Sequence, residues 1–299
     1  MDESLEEQRR YVQLERTVKR ENLRRIWYRF KRSKLSLVGL SLVCVLIAFT
    51  AFAEFIAPYP EHAGLYINFK DAYRPPSFEH LLGTDMYGRD VLSRVIFGFR
   101  YAFMLIGIVL SLVVPTGVIL GLIAGYYRGT IIETIIIRLS DIFISIPYLV
   151  LALAIASILE PNIYNAMLAV SLMWWPWYVK LTHSVTSSLR NEPFILAVEA
   201  QGASTIHILF RELLPNQLGI ILTKITLDAG WVVLIGAAIS FVGLGAQPPT
   251  PDLGTMVSEY SKYLPSYWWM SIGPATGIIL IILAFNLLGD GIRDVFAGE

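Results

Sequence analysis

The chain has 299 residues, with 24 basic side chains balanced by 24 acidic ones, and 55% of its residues are hydrophobic against 16% charged, for a mean hydropathy of +0.57. One water-soluble core of ordinary composition cannot bury that much apolar surface, so the chain reads as an all-α integral membrane protein. A formal net charge of zero argues against a nucleic-acid partner and against a strongly charged substrate.

Residues 1–34 form a basic N-terminal tail carrying Arg9, Arg10, Arg16, Lys19, Arg20, Arg24, Arg25, Arg29, Lys31, Arg32 and Lys34. Basic residues beside a first span are retained in the cytoplasm, which predicts an inside N-terminus. Tyr11, Leu14, Val18, Leu23, Ile26, Trp27 and Phe30 recur on one side of the tail, as in an interfacial helix; a solvated charged tail is the competing reading. The apolar run 35–53 ends in Ala51, Phe52 and Ala53, but it is too long, and its charged lead-in too extended, for a cleaved signal peptide. The single Cys44 lies inside this run and has no internal disulfide partner.

A hydrocarbon core about 30 Å thick needs about 20 helical residues. Six stretches meet that length: about 35–57, 101–125, 134–159, 163–181, 218–242 and 269–289. Starting inside, this leaves 58–100, 160–162 and 243–268 outside, and both termini cytoplasmic. The organisation is then a tail over 1–34, a first transmembrane helix with an outer loop over 35–100, and a five-helix core over 101–299. The turn "EPN" at 160–162 and the proline-rich "AQPPTPDLG" at 246–254 fall in loops accordingly. Against the positive-inside rule, Lys70, Arg74, Arg89 and Arg94 fall on the outer side.

In the outer loop, Asp85–Arg89 and Asp90–Arg94 are spaced i, i+4 with the acid first, which predicts a solvated turn with helical salt bridges; direct substrate contact is the alternative. Arg138 and Asp141 read as interface anchors, and Pro147 should kink the third span. Trp174, Trp175, Trp177 and Tyr178 could stack on a sugar or peptide, yet Lys180 and the expected end of the span favour a membrane-interface belt. His62, His80, His183 and His207 are scattered, with no H-E-x-x-H or G-x-S-x-G pattern to suggest a hydrolase. No G-x-x-x-x-G-K-[ST] loop is present to bind ATP.

The polar stretch 182–217 predicts two short amphipathic helices. Asn191 or Glu192 caps the first, with Pro193 at its first position, and Gly202 ends it in a left-handed conformation. Ser204 or Thr205 caps the second, which stops near Pro215. Their apolar faces lie on the membrane interface or dock on another protein; the residues leave both open. Further on, Asp228 lies about 15 Å into the fifth span, where an unpaired carboxylate costs several kcal/mol. Lys224 stands one turn away. Mutual neutralisation and a place on a translocation path are the two readings.

The stretch "AVEAQGASTIHILFRELLPN" resembles the coupling segment of permease subunits of ATP-binding-cassette (ABC) importers, in which a glycine is followed thirteen residues later by proline after leucine, as at Gly202, Leu214 and Pro215. Leu196 takes the place of the segment's usual leading Glu. "FKRSKLSLVGL", "LGTDMYGRDVLSRVIFG", "RLSDIFISIP", "SFVGLGAQPPTPDLGTM" and "NLLGDGIRDVF" narrow the resemblance to the second permease subunit of dipeptide and oligopeptide importers, over nearly the whole chain from Phe30 onward. The acidic residue usual near Gly236 in that family is absent here.

This resemblance implies the type I importer permease fold, six transmembrane helices with cytoplasmic termini, and coupling helices at 192–215. It assigns docking on the ATPase to Pro193, Phe194, Leu196, Ala197, Val198, Ala200, Gly202, Ala203, Ser204, Leu214 and Pro215. It implies a second homologous permease, two ATP-binding subunits that use ATP and Mg, an extracytoplasmic solute-binding protein and membrane lipid as partners, and no cofactor held by this chain. Its cargo is dipeptides or oligopeptides, with oligosaccharides or nickel as alternatives. A secondary transporter would need inverted halves and broken mid-membrane helices.

Overall fold

The computed structural model describes residues 21, 24 and 27–297, and among these the regular elements are helical apart from one isolated antiparallel bridge, Thr84 to Asp90. Nine principal helices follow in chain order: α1 (Lys34–Ala51), α2 (Val91–Tyr126), α3 (Ile131–Ile144), α4 (Tyr148–Ile158), α5 (Ile163–Leu189), α6 (Pro193–Ala200), α7 (Leu218–Phe241), α8 (Leu253–Ser261) and α9 (Trp268–Ala297). Only helices satisfy every backbone N–H and C=O internally, which is what a hydrocarbon solvent demands. Lys34–Ala51, Val91–Tyr126, Thr205–Phe241 and Trp268–Phe296 are each long and apolar enough to cross a bilayer. The pair α3 and α4 makes a fifth candidate, bent by 88°. Pro147 sits at that break, so the kink expected over 134–159 is a full interruption. At 27 residues α5 is long enough to cross, but its polar side chains lower its hydropathy. Most of the tail lies outside the described residues; 27–32 are helical, and Trp27 stacks on Phe30 at 5.8 Å.

The most extensive helix contact is that of α2 with α5. Gly117, Gly121 and Gly125 recur every fourth residue on α2, and a Cβ on Gly121 would stand 2.7 Å from the Thr182 Cβ. This small-xxx-small stripe lets the backbones approach closely enough for dispersion to hold two helices together where lipid supplies no hydrophobic drive. From α3, Glu133 reaches His183 at 2.6 Å and Asp141 reaches Lys180 at 2.5 Å, pinning that helix to α5; Arg138 stays 4.0 Å from Asp141.

The outer segment differs from expectation. Residues 82–90 are not helical, and α2 begins at Val91, ten residues before the expected 101, because Asp90 caps it by accepting the Ser93 N–H. Asp90 therefore does not pair with Arg94; its other oxygen meets His80 Nδ1 at 2.9 Å. Asp85 and Arg89 do pair, at 2.7 Å, inside a tight turn. Neither group is solvated: Asp85 is 0% and Arg94 1% exposed. The expected solvated turn is thus a buried knot, in which Asp85 accepts from the Tyr87 and Arg89 N–H groups and from the Tyr260 hydroxyl. Arg94 adds bonds to the Pro249 carbonyl, tying α2 to the proline-rich loop. α8, absent from the sequence reading of 243–268, exists because Asp252 caps it and Tyr260 anchors it to Asp85. Arg74 pairs with Asp71 and Glu79. Two of the four cations that strained the positive-inside rule, Arg74 and Arg89, are thus paired with carboxylates nearby.

His62 accepts the Asp90 backbone N–H on Nδ1 at 2.8 Å and stacks between Tyr59 and Tyr66. Burial holds its pKa below the ordinary imidazole value, with Glu61 and Asp90 pulling the other way.

Candidate functional site

After α5 the chain turns sharply. Pro193 opens α6 at its first position, where a missing N–H is harmless, with Glu192 as the capping residue. α6 ends at Ala200, and Gly202 takes φ +81°, a conformation that costs a non-glycine residue about 1–2 kcal/mol. Ser204 then restarts the helix, its hydroxyl accepting the His207 N–H.

The second helix does not stop near Pro215. Helical backbone runs from Thr205 through Leu214 and Pro215 into α7. A proline ring would clash with the carbonyl four residues earlier, at Arg211, and it donates no N–H. The turn over Ile208–Leu213 relieves this by widening to the π form, with Leu214 N–H donating to Leu209 at 2.9 Å.

The elbow has two faces. Ile195, Ile208, Leu209 and Leu213 are buried against the helix ends, and Val198, Ala203 and Leu214 are half-buried. Pro193, Phe194, Leu196, Ala197, Ala200, Gly202, Ser204, Ile206, Phe210 and Pro215 are exposed. Of the eleven residues expected to dock, eight thus lie on the open side, and Val198, Ala203 and Leu214 support them from behind.

Two polar clamps, not foreseen from sequence, hold the elbow. Arg190 makes a two-point bond to Glu199, both at 2.9 Å, with its guanidinium 4.6 Å over the Tyr126 ring. Gln217 is buried and donates to Thr186 at 2.9 Å and to the Leu213 carbonyl. The first joins α6 to the ends of α2 and α5; the second ties the start of α7 to α5. Arg190 and Glu199 lie nine residues apart across a turn, and no periodicity signals such a pair.

Two and three turns beyond Gln217, Lys224 and Asp228 form the ion pair their spacing suggested, at 3.0 Å. Asp228 also accepts from Trp174 Nε1 at 2.9 Å, and Lys224 stands 5.2 Å over the Tyr178 ring. Trp174 and Tyr178 are 6% and 0% exposed, in mid-α5, so they form no interface belt; α5 runs on to Leu189 rather than ending near 181. Trp177 alone of the cluster is well exposed. The pair borders an open cleft of about 840 Å³, lined further by Asn216, Thr223, Leu227, Trp231, Arg293 and Phe296.

The sequence has relatives. Residues 117–298 match the family described as binding-protein-dependent transport system inner membrane component, and residues 22–76 match the N-terminal TM domain of oligopeptide transport permease C. The chain is 40% identical over 279 residues to the dipeptide transport system permease protein DppC of Escherichia coli, covering 91% of each. It is 37% identical over 278 residues to the DppC protein of Haemophilus influenzae, covering 91% of this chain and 93% of that one. A di/tripeptide transport system permease protein of Pseudomonas aeruginosa is 37% identical over 282 residues, covering 91% of this chain and 90% of that one.

Proposed function

Because the chain belongs to the family of inner membrane components of binding-protein-dependent transport systems, we propose that it imports dipeptides and oligopeptides as one permease subunit of an ATP-driven transporter. It is a multi-pass, non-catalytic subunit of the inner membrane. α1, α2, the α3–α4 pair, α5, α7 and α9 make six crossings, with both termini in the cytoplasm. A second, homologous permease completes the path, two ATPase subunits supply the energy with ATP and Mg, and an outer binding protein delivers the solute.

The observation that carries this reading is the elbow at 192–215. Phe194, Leu196, Ile206 and Phe210 stay exposed on a segment clamped to α5 and continuous with α7. An apolar face held this firmly suits a protein partner. Closure of the ATPases on ATP moves the elbow, and the helix beyond it favours the outward-facing state; hydrolysis restores the inward-facing one. The leading Glu replaced by Leu196 shifts this contact toward apolar packing. Lys224 and Asp228 lie on the path.

The test is to co-purify the chain with its neighbouring gene products, place them in proteoliposomes and measure dipeptide uptake with and without ATP. Uptake that needs both ATP and the binding protein is expected. Uptake at full rate without nucleotide would instead mark a secondary transporter.

A further inference from the structure

The cleft beside α7 contains a neutral ion pair at a depth where charge is expensive. Asp228 is 4% exposed and fixed from behind by Trp174, while Lys224 remains partly open to the cleft. The Tyr178 hydroxyl next to them is buried with no hydrogen-bond partner among the described residues. Arg293 and Phe296 lie at the α9 side, and Trp231 and Leu227 give the wall an apolar surface. Packing alone does not explain the opening of this pair onto a large cleft.

We propose that the Lys224–Asp228 pair is a docking point inside the permease for the two charged ends of a short zwitterionic solute, with Lys224 taking its carboxylate and Asp228 its ammonium. The argument is one of charge balance. Separating the pair leaves two uncompensated charges in a low-dielectric site, which costs several kcal/mol. A zwitterion replaces each partner charge for charge, so every charge stays compensated. A neutral sugar cannot separate the pair, and a lone cation taken by Asp228 strands Lys224. Trp174 keeps the carboxylate aimed while Lys224, on its flexible stem, swings. Asn216 and Thr223 offer hydrogen bonds to peptide groups, and Trp231 and Leu227 offer apolar contact to side chains. The cleft exceeds the volume of a few residues, in the usual range for small-molecule sites.

This rests on the peptide-importer reading and adds where and how the permease reads its cargo. The test is equilibrium binding of radiolabelled trialanine, its C-terminal amide and its N-acetyl form to the complete transporter in nanodiscs, without nucleotide or binding protein. Trialanine should bind about tenfold or more tightly than either blocked form. Asp228→Asn should erase the discrimination against the N-acetyl form, and Lys224→Met that against the amide. Equal binding of all three forms to the unaltered transporter overturns the proposal, as do variants that weaken all three alike. Should neither variant assemble, the unaltered transporter still decides. A transporter that imports trialanine with its binding protein yet binds the three forms equally retains the peptide-importer reading; one that imports no peptide overturns both.

Discussion

The knot around Asp85 and the elbow at 192–215 solve opposite problems with similar residue types. Around Asp85, the three charged side chains of Asp85, Arg89 and Arg94 are withdrawn from solvent and joined through the carboxylate to one another, to Tyr260 on α8 and to the proline-rich loop. At the elbow, four large apolar side chains are left in the open while the charges beneath them serve as clamps. The knot finds its partners within the chain. The elbow leaves its surface unfilled, which is the mark of a part built to meet something else.

The largest test of this contrast is Asp85→Asn. It strands Arg89 and Arg94 in a buried site, and removing one member of such a network costs about 3–5 kcal/mol. Purified complex should fall to a small fraction of normal, with its unfolding midpoint lowered; an unaltered midpoint would mean the knot is not a structural tie. Next is Phe210→Asp on the elbow. Contact residues of this size carry about 2 kcal/mol or more of binding, while surface changes leave stability within about 0.5 kcal/mol. ATPase subunits should be lost on purification with no shift in the midpoint. A shift equal to that of the knot variant would erase the distinction between the two regions.

Gly202→Val should cost about 1–2 kcal/mol through backbone strain, because an added Cβ meets no atom within 4 Å. Gly202→Asn should recover much of it, since Asn tolerates the left-handed conformation, and thermal midpoints of the two variants check the order. The smallest effect is at His62. Its folded pKa is lowered, so below about pH 6.5 the unfolded chain takes up the proton first. The stability this group supports is full above that value and declines as pH falls toward the depressed folded value. The midpoint should drop on acidification from about pH 7.5 to about 5.5, by less in His62→Gln; an identical drop in both would remove His62 as the cause.

What the sequence made legible follows from what periodicity carries. Pro147, Gly202 and the Lys224–Asp228 spacing each act within one helical turn, and each does in the structure what local rules require. The i, i+4 rule failed at Asp90 and Arg94 because Asp90 is the cap of α2, where its two carboxylate oxygens are taken by Ser93 and His80 rather than by Arg94 one turn on. Pro215 misled in the same way: a stop signal in isolation, it is absorbed by one widened turn. The glycine stripe at 117, 121 and 125 follows small-xxx-small spacing and is legible in the sequence itself. Tyr260 with Asp85 and Trp174 with Asp228 join residues 175 and 54 positions apart, and only the folded chain brings them together.

On the proposed coupling, the continuous helical stretch from Thr205 to Phe241 would work as a lever. Gln217, held to Thr186, is its fulcrum; the exposed elbow end lies about 18 Å to one side and Asp228 about 17 Å to the other. With arms this nearly equal, a displacement passed on from the elbow in the proposed transport cycle would reach the carboxylate with similar amplitude. The grip on a cargo and the stroke of the motor would then be two ends of one stretch of helix.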